Sequence, residues 1–204
     1  VKQNFRGQRY DAVYVGTGDR EHPLKTTGSD KMFMLKDTGT GLTASADPVI
    51  TYPGSLLDIT TSYTAADFAA LLGAAAWSTK TGWYFDFTAG EKVVSSPSVY
   101  RNILRFSTYS PNQSISACVP PGKGVLYGMS ALDGSLVTGT LTGPSLTPQQ
   151  LRQYTGTASR GYIPTGSVVV RGNKVYLIHI ADGRLLYKQI GTIGGANKVF
   201  WYRE

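Results

Sequence analysis

Residues 91–134 limit what this chain can fold into. They hold three apolar, β-favouring runs, at 92–94, 98–109 and 125–131, separated by the turn formers Pro97, Asn102, Pro111, Pro120, Pro121 and Gly122. The alternation Ile103, Arg105, Ser107, Tyr109 suits a strand with one apolar face. Asp133-Gly134 is a hairpin signal. The stretch therefore predicts an antiparallel meander of three or four strands. One meander cannot bury both faces by itself, so neighbours of its own kind are expected.

The remaining composition agrees. Twenty-four glycines, ten prolines and thirteen tyrosines in 204 residues belong to a loop-rich, all-β protein. The formal charge of +7 is scattered along the chain, which reads as a solvated basic surface and predicts no nucleic-acid partner. A single cysteine, Cys118, forbids a disulfide within the chain; it is a lone thiol or pairs outside this segment. No apolar run approaches the roughly 18 residues of a membrane span. The first residues lack the apolar core of a signal peptide, as a mature exported fragment also would.

In chain order, residues 1–9 read as a first strand or a loose end. Residues 10–16 and 31–36 are strands, and 40–63 are mostly loop, with 49–52 extended and Leu56, Leu57 and Ile59 folded onto the body. Residues 64–76 predict one helix capped by Thr64, with Phe68, Leu71, Leu72 and Ala75 on one face and Gly73 weakening its middle. Residues 83–87 are a strand, 135–145 a connection, and Thr147-Pro148 starts a short helix. Three strands follow across 162–190, with turns at Gly172-Asn173 and Asp182-Gly183, and 198–203 is a last strand.

Three units share this order of elements, which predicts sheets fanned as propeller blades; a β-sandwich is the alternative. Only about three blades fit, and a ring takes four or more. The fold expected is all-β, with one or two short helices in insertions. Residues 1–204 are expected to be the carboxy-terminal segment of a single β-propeller domain whose ring is incomplete within this chain.

The densest chemistry lies in residues 16–22. Asp19, Glu21 and His22 offer metal ligands or an acid/base pair, but Arg20 between carboxylates reads first as an ion-pairing pin for the loop. His179, in an apolar strand, reads as a satisfied core or inter-blade histidine. There is no G-x-S-x-G elbow, dinucleotide fingerprint or phosphate loop. The aromatic runs at 83–87 and 199–202 read as packing rather than as a carbohydrate-stacking face.

The motifs RYDAVYVGTGDREHPL and DKMFMLKD, then Gly82-Trp83-Tyr84 leading into EKVVSSP, STYSP and ALDG, resemble the PilY/PilC family of type IV pilus tip-associated adhesins. Cys118 with Pro121-Gly122, and the closing Trp201-Tyr202-Arg203-Glu204, follow the same pattern, with Tyr202 intervening in the last. The resemblance implies the last part of a modified seven-bladed propeller in a large exported protein. It implies action in pilus assembly, against pilus retraction and in surface adhesion. The partners implied are minor pilins at the pilus tip, a host-cell or abiotic surface, and the rest of the propeller before Val1. The location implied is the pilus tip or outer surface of a Gram-negative bacterium. The family's calcium loop needs oxygen ligands at alternate positions around a glycine, and no window here has that series. No cofactor is expected in this segment, and Ca²⁺ belongs to the missing part of the parent domain. No enzymatic activity is expected; the alternatives are a quinoprotein-like propeller enzyme or a scaffold without a ligand. Adhesive contacts are expected from residues 39–62 and 135–160, as loops on a rigid frame.

Overall fold

Two tight reversals show how short-range chemistry sets the registers. Arg6 and Gly7, with φ of 50° and 79°, turn the chain so that Phe5 faces Gln8. Arg101 and Asn102, at 51° and 58°, bring Tyr100 opposite Ile103. Positive φ at both central residues matches the twist of a two-residue hairpin. The computed structural model describes residues 1–39, 50–62, 65–71, 73–111, 122–137, 139–154, 159–164, 166–181 and 183–193.

The first unit holds β1 (Lys2–Phe5), β2 (Gln8–Gly16), β3 (Lys31–Asp37), β4 (Leu56–Asp58), α1 (Ala65–Leu71), α2 (Ala74–Thr79) and β5 (Gly82–Asp86). Its sheet runs β1-β2-β3-β5-β4; β4 lies parallel to β5 and every other pairing is antiparallel. The second unit holds β6 (Lys92–Val93), β7 (Ser98–Tyr100), β8 (Ile103–Pro111), β9 (Gly122–Ser130), α3 (Pro148–Leu151) and β10 (Ser159–Arg160). Here β6 and β7 share one side of β8, followed by β9 and β10. The third unit is the meander β11 (Ser167–Arg171), β12 (Lys174–Ala181) and β13 (Arg184–Thr192).

Alternation decides what each face covers. Tyr10, Ala12, Met32, Met34, Trp83 and Phe85 of the first sheet meet Leu104, Phe106, Val125, Tyr127 and Met129 of the second in one apolar core. Phe106 and Tyr127 stack with centroids 5.3 Å apart, and Phe87 sets its edge against both. The opposite face of the second sheet is also buried. Gly128 leaves room there for Tyr154, whose ring would lie 2.4 Å from any added Cβ, and Leu126 packs with Tyr154 and Leu177 toward the third sheet. The result is three sheets stacked in chain order with the second in the middle. The first two share an interior as sandwich layers do, but the third makes a stack that a two-layer sandwich does not describe. No sheet closes on itself among the described residues. All-β with short helices is the architecture.

Several expectations change. Residues 1–9 are not a loose end, because β1 hydrogen-bonds along β2. The helix expected over 64–76 is two helices: Gly73 takes ψ 137° and caps the second. Phe68 and Trp77 bury themselves in the core, while Thr64 and Leu72 lie outside the described residues. The run 98–109 is two strands joined by the Arg101-Asn102 turn. Asp133-Gly134 reverses the chain, with Gly134 N–H donating to the Ser130 carbonyl, but starts no paired strand. Residues 50–52 form no strand, and Val49 is outside the described residues. So are Cys118, Asp182 and the strand expected at 198–203. The described parts of 39–62 and 135–160 are not free loops throughout, since Leu56, Leu57, Ile59, Leu151, Arg152 and Tyr154 are buried. The short helix holds as expected, with a Thr147–Gln150 capping box.

Lys36 sits on the core face of β3 with no carboxylate partner. Its Nζ donates to the Trp77 carbonyl at 2.8 Å and Gln8 Oε1 at 3.1 Å, and lies 4.2 Å from the centre of the Trp77 ring. Burial lowers its pKa to about 8. The unfolded lysine keeps its ordinary value, so above pH 8 the unfolded chain holds more protons and the folded state gains stability as pH rises. From pH 7 to pH 9 the gain is about 1 kcal/mol relative to Lys36→Met, which lacks the titration. Denaturant midpoints of the two proteins at both pH values measure it. Both lie below pH 10, where tyrosines with raised pKa, such as Tyr14, begin to weaken the fold in the opposite sense. A pH-independent difference refutes the assignment.

Candidate functional site

The loop after β2 is fastened to the second sheet by its glycines. A Cβ on Gly16 would lie 2.3 Å from Val93 Cγ1, and one on Gly18 would lie 2.6 Å from the Val93 carbonyl oxygen. Only glycine permits that approach. Thr17 completes the joint. Its carbonyl accepts from Val93 N–H at 3.0 Å, its N–H donates to the Lys31 carbonyl, and its hydroxyl bonds Asp30 Oδ1 at 2.9 Å and accepts from Lys31 N–H. Lys92 Nζ returns the contact from the other side, donating to the carbonyls of Lys25 and of Gly90. Two motifs far apart in the chain, GTGDREHPL and EKVVSSP, are thus two halves of one structural joint.

The second motif carries its own logic. The Lys92 side chain is buried. Pro97 cannot donate to a ladder, so the edge strand breaks between β6 and β7. Ser95 repairs the gap: its hydroxyl accepts from Ser107 N–H at 2.6 Å, and Val94 N–H donates to the Ser107 carbonyl at 3.2 Å. Glu91, also buried, accepts from Thr108 Oγ1 at 2.5 Å, Tyr127 OH at 2.8 Å, Gln149 Nε2 at 2.6 Å and Thr88 Oγ1 at 3.2 Å. Burial, with the Glu91 carboxylate alongside, pushes the Tyr127 hydroxyl well up from its usual pKa.

Of the four residues singled out in the first motif, two meet. His22 Nδ1 lies 3.0 Å from Asp19 Oδ2, and His22 N–H donates to Asp19 Oδ1 at 3.0 Å. The backbone donor above all holds the Asp19 carboxyl below its usual range. The pair is solvent-exposed, with His22 at 70%. Arg20 and Glu21 are exposed and form no ion pair among the described residues, so the pin is Asp19–His22 and not Arg20 between carboxylates. Asp19, Glu21 and His22 do not gather into a metal-binding group among the described residues.

Beside this joint lies an open slot of about 430 Å³. Its lining comes from three stretches: Asp19, Arg20 and Pro23 of the loop after β2, Lys92 and Val94 at β6, and the tyrosines Tyr109 and Tyr162. Tyr162 is half exposed, and its hydroxyl reaches the Val94 carbonyl at 3.5 Å. Sequence reasoning missed both tyrosines. Tyr109 belongs to a strand face and Tyr162 to a connection, and no spacing links either to residue 20.

His179 is buried on the β12 face that carries Val175 and Leu177, as expected, but not as a satisfied histidine. Neither ring nitrogen finds a hydrogen-bond partner among the described residues, and burial, with Lys188 nearby, lowers its pKa. The aromatics of 83–87 are packing: Trp83, Phe85 and Phe87 fill the core.

No family model, no curated protein and no solved structure matches this chain.

Proposed function

We propose that this chain is a non-enzymatic module of a pilus-tip adhesin of the PilY/PilC kind, built as successive blades of a propeller. The observation that carries the reading is the joint between residues 16–25 and 91–97. The two motifs on which the resemblance is most specific touch each other, through Gly16, Thr17 and Gly18 against Val93 and through Lys92 against Lys25. Two motifs that meet in one contact support the resemblance better than either does alone.

The stack supports the propeller part. Three mostly antiparallel sheets follow one another in chain order, and both outermost faces carry exposed apolar residues. Val13 and Val15 stand outward on the first sheet beside Leu35 and Phe33. Ile180, Leu185 and Tyr187 stand outward on the third. Faces of this kind suit further sheets on both sides.

In this role the module works by binding and by rigidity, at the surface of a Gram-negative bacterium, with minor pilins and a host or abiotic surface as its contacts. The test is deletion of the coding sequence for this chain in the bacterium that carries it. Surface pili counted by electron microscopy and cells retained on a surface are both expected to fall at least tenfold and to return on complementation. Unchanged piliation together with unchanged attachment overturns the reading.

A further inference from the structure

The slot beside the Asp19–His22 pin has the charge balance and the walls of a ligand site. Two cations border it: Arg20, exposed and without an ion-pair partner among the described residues, and Lys92, whose ammonium donates to the carbonyls of Lys25 and Gly90. The carboxylate at the rim, Asp19, is engaged by His22. The lining therefore carries two cations against one carboxylate, in a chain whose formal charge is +7. The walls are aromatic. Tyr162 presents a half-exposed ring tethered at its hydroxyl, and the largely buried Tyr109 also lines the slot. A ring face that is apolar and fixed, next to an unpaired guanidinium, suits a ligand that is flat and apolar on one side and carries a carboxylate on its edge. About 430 Å³ lies within the range of small-ligand pockets.

We propose that this slot binds an acidic saccharide, a sugar ring bearing a carboxylate, with the carboxylate on Arg20 and the ring on Tyr162. The proposal deepens the adhesive reading above and rests on it for the setting in which such a sugar is met.

The test titrates the intact protein with sialyllactose, with a glucuronic-acid disaccharide and with lactose, followed by ligand-observed NMR and calorimetry. At least one acidic sugar is expected to bind, weakening as salt rises, with lactose at least tenfold weaker. Arg20→Ala and Tyr162→Ala each lower the affinity about tenfold or more. Both side chains are exposed, so the melting temperature stays within 2 °C, roughly the shift of half a kcal/mol. Equal binding of lactose overturns the proposal. So does binding that survives both substitutions, or binding of an acidic peptide in place of every sugar. The two readings fail separately. A protein that binds no acidic sugar, from a bacterium that loses attachment on deletion, removes the slot and leaves adhesion. A protein that binds the sugar, from a bacterium that attaches and piliates normally without it, removes adhesion and leaves the slot.

Discussion

Replacing Glu91 with alanine lowers the stability of the protein by about 3–5 kcal/mol, the range for leaving a buried polar network without its centre. The carboxylate is 4% exposed and takes four hydrogen bonds. Its donors come from three places: Thr88 just before β6, Thr108 and Tyr127 on the facing strands β8 and β9, and Gln149 in α3. Alanine leaves the Thr108 and Tyr127 hydroxyls inside the protein without their acceptor, and each orphaned group costs about 1–3 kcal/mol. Tyr127→Phe removes a donor to Glu91, which keeps three partners, and an acceptor for the part-buried Gln149 and Gln153 amides; it orphans nothing charged, so its cost is about 1–2 kcal/mol. Glu91→Gln falls between the two, since its amide sets N–H groups against donors that also need an acceptor. Thermal unfolding of a domain of this size moves about 2–4 °C per kcal/mol, so Glu91→Ala melts roughly 10 °C lower. A drop of under 1 kcal/mol for Glu91→Ala, or a Tyr127→Phe cost equal to it, refutes the assignment.

Glu91 also shows where sequence reading stops. The strands around it are legible because residue type alternates: Met32 and Met34 lie between half-buried neighbours, and Leu104 and Phe106 alternate with Arg105 and Ser107, although both faces of β5 and β8 are buried. The short-range turns are legible for a similar reason, since Gly172-Asn173 and Asn102 carry their own backbone preference. Long-range polar matching carries no such period. Glu91 finds its partners 3, 17, 36 and 58 residues away. Gly16 and Gly18 are visible as glycines, but Val93, the reason for them, is not. The same limit applies at the candidate site. Asp19, Arg20, Glu21 and His22 are recognisable as a dense polar run, yet which two of them pair depends on the turn geometry. The tyrosines of the slot come from β8 and from the connection after β10, brought there by sheet pairing. The parallel pairing of β4 with β5 had no signal either, because a three-residue strand has too few positions to show a period.

Arg152 presents the second large effect. Its side chain is fully buried, and every acceptor it uses is a backbone carbonyl. Nε donates to Gly134 at 2.9 Å, Nη1 to Pro148 at 3.0 Å, and Nη2 to Ile59 at 3.2 Å and to Ser62. The guanidinium carbon lies 4.7 Å from the centre of the Phe85 ring. One planar group therefore ties the chain after β4, the reversal after β9 and the first turn of α3 to the shared core. Burying the charge is unfavourable, as its pKa, lowered by burial to about 10, records. Removing it is worse, because the carbonyls remain. Arg152→Ala leaves them unpaired around a cavity and costs about 3–5 kcal/mol. Arg152→Lys keeps the charge but not the fork; one ammonium cannot reach carbonyls set on different sides of a plane, and about 2–4 kcal/mol is lost. Arg152→Leu restores bulk without donors and remains close to alanine, which separates lost hydrogen bonds from lost packing. Denaturant unfolding of the three variants gives the comparison. A lysine variant within 1 kcal/mol of the wild type means that charge alone suffices at this position. A leucine variant that equals the wild type means the carbonyls find water instead, and the guanidinium is then not what holds the three segments together.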